Sequence, residues 1–310
     1  MHVPVMLLET AEMLAVAQGG CYIDATVGSA GHASEILRRA GPEGRLLGID
    51  RDIEALERAR VRLRDVPGSV CLVHGAHGDL RRLAEANGFG AVDAILMDLG
   101  VSSEQIDTAA AGFSFRRGLD GPLDCRMDRT QGETAAELIA RLGERELAEM
   151  LRRLGEEPQA RRIARAIVRE RERGPIATTG RLADVVDAAM GRRGEPRHPA
   201  VRRVYQAVRM AVNTELEDLA RALEDGMRLL RPGGRFAVLT YESLTDRMVK
   251  QRFAAHVGKL RALQQGGEAW EGELPAAVAV TRKAMVAGGE EIERNPRARS
   301  AKLRVVARKD

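Results

Sequence analysis

The stretch Cys21-Tyr22-Ile23-Asp24-Ala25-Thr26-Val27-Gly28-Ser29-Ala30-Gly31-His32 decides the fold. An apolar run ends in a carboxylate, turns on small residues and passes into a helical pattern over Ala33 to Arg39. The same arrangement then recurs. Leu46-Leu47-Gly48-Ile49 ends in Asp50 and precedes a helix over Ile53 to Leu63, with Leu56, Ala59 and Leu63 at helical spacing. Val70 to Val73 leads into His74-Gly75-Ala76-His77, and Ala94 to Met97 ends in Asp98-Leu99-Gly100-Val101-Ser102-Ser103. Strands alternating with helices predict an α/β fold with a mostly parallel sheet. Such sheets bind ligands outside the carboxyl ends of their strands, where strand order reverses. A glycine turn followed about 20 residues later by a carboxylate is the layout that holds an adenosine ribose.

Beyond Ser103 the texture changes. Residues 106 to 131 are irregular and rich in Gly, Asp and Arg, and from Thr134 to Asn213 every periodic segment is helical. Glu144 to Leu154 aligns Leu147, Met150, Leu151 and Leu154. Gln159 to Arg173 aligns Ala160, Ile163, Ala164, Ile167 and Val168 against Arg162, Arg165, Arg169 and Arg173. The sheet resumes after a helix through Leu216, Leu219, Leu223, Met227 and Leu230, which should stop at Arg231-Pro232-Gly233-Gly234. Arg235 to Thr240 reads as a strand and Leu244 to Phe253 as a helix. Ala277 to Arg282 should pair with Lys302 to Arg308 as a closing antiparallel ribbon. The expected organisation is a nucleoside-binding domain of residues 1–105 and 213–310, interrupted by a helical subdomain, 106–212. Residues 264 to 276 and 286 to 296 read as mobile loops.

Composition sets outer bounds. A hydrophobic fraction of 44% suffices for a real core, but aromatics are only 3%, so Leu, Val, Ile, Ala and Met must build it. The longest apolar runs fall short of the ~20 residues that span a bilayer, and no secretory pattern opens the chain. Cys21, Cys71 and Cys125 are odd in number and lack CxxC spacing, so neither a disulfide framework nor a metal site is expected. A reducing cytoplasm fits, with no membrane partner. The net charge of +4 favours a polyanionic partner. Across residues 106 to 212, 21 Arg stand against 16 Asp and Glu, which concentrates that tendency in the insert. Arg162, Arg165, Arg169, Arg173, Arg192, Arg193, Arg197, Arg202 and Arg203 are the candidate phosphate contacts.

The turn excludes some cofactors. Gly28-Ser29-Ala30-Gly31 is GxxG, whereas a dinucleotide site needs GxGxxG so that the backbone can approach a pyrophosphate. Asp24 suits a cationic, phosphate-free cofactor such as S-adenosylmethionine better than NAD. Asp50 is the natural ribose partner. Its alternative role, capping the next helix, falls more naturally to Asp52. His77 and Asp79 follow the third strand where an adenine would lie, His77 being either a stacking partner or a solvated loop histidine. Asp98 is the candidate catalytic residue. A carboxylate that draws on the hydrogens of an exocyclic amine localises its lone pair toward an electrophile and can collect the proton.

These residues resemble the bacterial 16S ribosomal RNA cytosine-N4 methyltransferases. The matching blocks include His2-Val3-Pro4-Val5-Met6, the Gly28 to His32 turn, Gly48-Ile49-Asp50-Arg51-Asp52, Met97 to Ser103 with Gln105 and Asp107, and Gly112-Phe113-Ser114-Phe115. Asp120-Gly121-Pro122-Leu123-Asp124, Gly155-Glu156-Glu157, Gln206 to Asn213 and Asn295 to Lys302 complete them. The resemblance implies a class I (Rossmann-like) methyltransferase fold with a helical insertion, S-adenosylmethionine as cofactor, and a cytidine of the small-subunit decoding region as substrate. It places Ala30, Gly31, His32, Asp50, His77, Asp98 and Gln105 at cofactor-contact positions. Ser102, Ser103, Phe113, Phe115 and Asp120 become substrate-side candidates, since a folded RNA must splay out its base to be modified. Two departures stand out. His77 replaces a usual Phe, and the family's Phe-His-Ser-Leu-Glu-Asp-Arg appears as Tyr241-Glu242-Ser243-Leu244-Thr245-Asp246-Arg247. A methyltransferase for another amine and a catalytically silent RNA-binding factor are the competing readings.

Overall fold

All four residues of Cys21–Asp24 are buried, which accounts for the unbroken apolar run before Asp24, since a strand covered on both faces has no solvent side to alternate with. The computed structural model describes residues 4–192, 196–262, 268–271 and 275–309. His2, Val3 and Arg193 lie outside the described residues. The chain divides into two compact units, residues 1–100 with 216–310 and residues 101–215.

The first unit begins with α1 (Leu7–Met13), which sequence patterning had not suggested, and continues through β1 (Cys21–Asp24), α2 (Gly31–Ala40), β2 (Arg45–Asp50), α3 (Ile53–Leu63), β3 (Ser69–His74), α4 (Leu80–Ala86) and β4 (Val92–Asp98). The second unit carries α5 (Ser103–Asp107), α6 (Ala135–Arg141), α7 (Glu144–Gly155), α8 (Ala160–Arg171), α9 (Thr179–Ala189) and α10 (Pro199–Val212). Its described residues form no strand, only an isolated bridge between Pro122 and Thr178. From α11 (Glu215–Leu229) the chain re-enters the first unit with β5 (Leu230–Thr240), α12 (Ser243–Val257), β6 (Lys259–Ala262), β7 (Glu268–Glu271), β8 (Ala277–Ala279), α13 (Gly289–Arg294) and β9 (Lys302–Arg308).

Seven strands form one sheet in the order β3-β2-β1-β4-β5-β9-β8. The first five are parallel, whereas β9 runs antiparallel to β5 and β8 antiparallel to β9. Strand order reverses between β1 and β4, so the ligand-binding edge of this doubly wound sheet lies beside Asp24 and Asp98. The strand residues alternate between two cores. Ile23, Leu47, Ile95, Phe236 and Val238 join one, and Tyr22, Leu46, Leu96, Ala237 and Leu239 join the other.

The helix stops where expected, α11 ending at Leu229, but Arg231-Pro232-Gly233-Gly234 lie within β5. Leu230 already pairs with Val92, and the register shifts before Arg235 meets Ala94, so the Pro/Gly residues form a bulge inside β5. Residues 286 to 296 are not simply a loop but contain α13, whose Glu291 accepts the Met6 N–H at 2.7 Å. Part of 264 to 276 is strand β7, paired with β6. Residues 263–267 and 272–274 lie outside the described residues.

In the second unit, the predicted apolar faces of α7 and α8 are buried as expected. Arg162, Arg165, Arg169 and Arg173 stand on the exposed side.

Candidate active site

The turn after β1 is assembled by local chemistry. Gly28 and Ala30 both take left-handed backbone, with φ of 50° and 60°. Gly31 then opens α2. A Cβ on Gly31 would lie 2.2 Å from Pro4 Cγ, so only glycine lets the N-terminal segment pass over the turn. His32, beside it, is 7% exposed and its Nε2 lies 3.0 Å from the Val5 carbonyl oxygen. A carbonyl cannot donate, so this contact assigns the hydrogen to Nε2.

Asp50, at the end of β2, is tied to this turn. Its Oδ2 accepts the Gly28 N–H at 2.8 Å and its Oδ1 accepts the Asp52 N–H at 2.9 Å. Asp52 caps α3, as expected, by accepting from the Ala55 N–H. Asp50 is therefore spared the helix cap but is not idle, because one N–H engages each of its oxygens. Desolvation pushes its carboxyl upward against the pull of these donors.

Asp24 is 2% exposed, and burial raises its carboxyl to about 8, with Asp98 and Asp50 adding like-charge repulsion. A buried carboxyl of this kind stays protonated at neutral pH until a cation joins it.

Asp98 ends β4. Its N–H donates to Thr26 Oγ1 at 2.6 Å, which joins the ends of β4 and β1. Its Oδ2 lies 3.7 Å from His32 Nδ1. Its Oδ1 accepts the Tyr241 hydroxyl at 2.8 Å. Sequence reasoning missed Tyr241 as a site residue, although its place in a motif that departs from the resembling family's pattern was the available signal.

His77 is not the solvated loop histidine that one reading allowed. It opens a single 3₁₀ turn, His77–Asp79, and its Nε2 is buried with no hydrogen-bond partner among the described residues. Desolvation, helped by Arg51 and Arg221, lowers it to about 3, so the ring is neutral. Asp79 instead faces solvent and pairs with Arg82.

The remaining candidates belong to the second unit. Ser102 and Gln105 form a capping box at the start of α5: Ser102 Oγ accepts the Gln105 N–H at 3.1 Å, and Gln105 Oε1 accepts the Ser102 N–H at 3.0 Å. Ser103 is the first residue of that helix. Phe113 is 8% exposed and belongs to the unit's interior, whereas Phe115 packs edge-on against Tyr205 at 5.2 Å between centroids. Asp120 accepts from the Gly180 N–H at 2.6 Å and from Thr179 Oγ1 at 2.9 Å, contacts that hold its carboxyl low. Four of the arginine candidates already have acidic partners, Arg165 with Glu144 and Arg173 with Glu170 at the surface and two others more deeply. Arg197 is held by Asp184, Asp187 and the Phe115 carbonyl. Arg203 pairs with the buried Glu157.

Within the first unit, then, three carboxyl groups stand at the ends of adjacent strands around a glycine turn, with an unpartnered buried imidazole nitrogen after β3. The donor set fits a cationic nucleoside: a carboxylate for ribose hydroxyls, a buried carboxyl that a cation would ionise, and a nitrogen able to accept from or face a base. It does not suit a pyrophosphate, which would meet carboxylates and a buried carboxyl in place of cations. No helix among the described residues is long and apolar enough to cross a membrane, and none of their side chains gather into a metal-binding group.

The sequence matches the MraW methylase family over residues 1–309. It is 49% identical over 309 residues to the ribosomal RNA small subunit methyltransferase H of Symbiobacterium thermophilum, covering 99% of this chain and 96% of that protein. The proteins of the same name from Acetivibrio thermocellus and Methylococcus capsulatus are 46% identical over 310 residues and 48% identical over 305 residues. Those alignments cover 98% of this chain in both cases, and 98% and 99% of the two proteins.

Proposed function

From the premise that the chain belongs to the MraW methylase family, we propose that it transfers the methyl group of S-adenosylmethionine to N4 of a cytidine in the decoding region of 16S ribosomal RNA. The observation that carries this reading is the position of Asp98 at the sheet's switch point, one strand from the buried Asp24.

S-adenosylmethionine, when bound, supplies an electrophilic methyl group on a positively charged sulfur. Asp50 takes the ribose hydroxyls with the lone pairs that Gly28 and Asp52 leave open. Asp24 ionises beside the cofactor's positive charge. His77, a neutral ring after β3, stands at the position where the resembling family contacts the cofactor. The turn Ala30-Gly31-His32 lies against the amino-acid part.

Asp98 accepts hydrogens from the cytosine amino group. That contact rotates the nitrogen lone pair out of conjugation with the ring and gives the departing proton an acceptor. His32 Nδ1, 3.7 Å from Asp98 Oδ2, adds a polar neighbour on the same side. Gln105 stands at a position where the resembling family contacts the cofactor, and here its side chain closes the capping box of α5. Ser102, Ser103, Phe115 and Asp120 meet the RNA, with the small ribosomal subunit as the natural context. The burial of Phe113 supports a packing role for that ring instead.

Mass spectrometry of 16S RNA from cells lacking the gene tests the proposal. One cytidine should lose its N4-methyl group and regain it on expression of the wild-type chain. An unchanged modification pattern rejects this substrate.

A further inference from the structure

Strand β5 carries more than its place in the sheet. Leu239 pairs with Asp98 and its carbonyl accepts the Leu99 N–H at 3.0 Å. Two residues on, just past the end of β5, Tyr241 packs against the same core that Leu239 joins. Its hydroxyl therefore reaches the Asp98 carboxylate from the neighbouring strand end, at 2.8 Å.

We propose that Tyr241 is a positioning residue for methyl transfer, its hydroxyl locking Asp98 Oδ1 so that Oδ2 is presented to the substrate amine. The inference rests on the reading of Asp98 as the amine's acceptor. Thr26 Oγ1 fixes the Asp98 backbone by accepting its N–H. The Tyr241 hydroxyl adds a donor to the carboxylate itself, from a ring packed against the core just past the end of β5. Gly100 brings the following loop against the ring, since a Cβ there would lie 3.6 Å from Tyr241 Cδ2. A Phe at this position, as in the resembling motif, fills the same space and offers no donor.

The hydroxyl also biases charge. Acidic groups face this pair from two other elements, Asp24 from β1 and Glu291 from α13, and His32 faces it from α2. The acids oppose ionised Asp98, whereas a hydroxyl that donates to it favours the ionised form. Burial and the Asp98 charge hold the Tyr241 phenol well above its usual range, so it remains a donor across the working pH.

The test compares wild type, Y241F and D98N by kcat, by KM for S-adenosylmethionine and by the pH profile of kcat. Y241F keeps the ring and should lower kcat about tenfold, as expected for loss of a hydrogen bond to a charged group. KM for the cofactor should change less than twofold, and the acidic limb should move to higher pH. A Y241F enzyme whose acidic limb superimposes on that of wild type overturns the inference, whether kcat is unchanged or merely reduced. D98N separates the two levels. Should D98N turn over like wild type, the reading of Asp98 itself fails. Should D98N be inactive while Y241F behaves as wild type, only the role of Tyr241 is lost.

Discussion

The Gly28 N–H donates to Asp50 Oδ2 at 2.8 Å, so the turn after β1 and the carboxylate ending β2 are one hydrogen-bonded piece. Replacing Asp50 by Ala removes a ligand acceptor and releases that turn together. Affinity for S-adenosylmethionine, measured by calorimetry, should fall by about 1.5–3 kcal/mol, the range for hydrogen bonds to charged groups. Unchanged affinity rejects the ribose assignment.

Asp98→Asn keeps the shape of the side chain and its place beside Tyr241 but loses the charge that collects a proton. Turnover should drop roughly 10²–10⁴-fold, the usual worth of a general base, while calorimetry finds cofactor binding nearly intact. A loss smaller than about threefold, far below that range, would exclude Asp98 from the chemistry.

The carboxyl of Asp24 should make cofactor binding pH-dependent. Raised to about 8 in the free protein, it must give up a proton to pair with a cationic ligand. Affinity should therefore rise with pH toward 8 and level off above it. Calorimetry in two buffers of different ionisation heat should detect the released proton at pH 7. The same shift affects folding. A carboxyl with a higher folded than unfolded pKa binds more protons in the native state, so it favours that state most at acid pH. Its contribution declines as pH rises from the unfolded value near 4 toward 8. D24N should flatten both curves, and a proton release that survives D24N assigns it elsewhere.

Gly31→Ala adds a methyl group 2.2 Å from Pro4 Cγ. Displacing the N-terminal segment should cost about 1–3 kcal/mol of stability, as overpacking does, and should loosen the cofactor turn. A denaturant midpoint equal to that of wild type means that Pro4 does not bear on the turn.

The arginines of the second unit should separate into two groups. Arg162 and Arg169 are exposed. Changing each to Ala should leave the melting curve alone and reduce the slope of log affinity against log salt by about one per lost phosphate contact. Arg197, 9% exposed and bound to Asp184 and Asp187, should instead cost about 3–5 kcal/mol of stability, because Asp187 is left charged and buried. Filter binding to 16S RNA across 50 to 300 mM salt, beside thermal melts, reads both effects. Affinity independent of salt argues against RNA as the partner.

What the sequence revealed and what it concealed divide along a physical line. The ends of β1, β2 and β4 were legible because a buried parallel strand is an apolar run and its polar stop is abrupt. Asp52 could be told from Asp50 because a helix cap has a fixed offset. At Pro232-Gly233 the local signal marked the end of α11 but not the bulge that lets Leu230 and Arg235 pair with one strand. The 286 to 296 stretch looked like a loop because it lacks an apolar face, and α13 has no buried residue. It is held by the Glu291 contact to Met6 and by the half-buried Ile292 against one core. The Tyr241–Asp98 bond joins residues 143 apart, and no periodicity reports a partner at that distance. His77 could not be judged exposed or enclosed from its neighbours alone, since Arg51 and Arg221 come from separate elements.

The sheet order sets a timetable for biosynthesis. Strand β4 ends at Asp98, but its parallel neighbour β5 begins only at Leu230, and β5 in turn is flanked by β9, which ends at Arg308. A nascent chain thus displays the outer edge of β4 while all of residues 101–215 are being made. That contiguous, strand-free unit can mature on the translating ribosome before its host closes, in line with domains folding as units during synthesis. The half-built sheet is the vulnerable species, and early chaperone capture is expected to centre on the open side of β4.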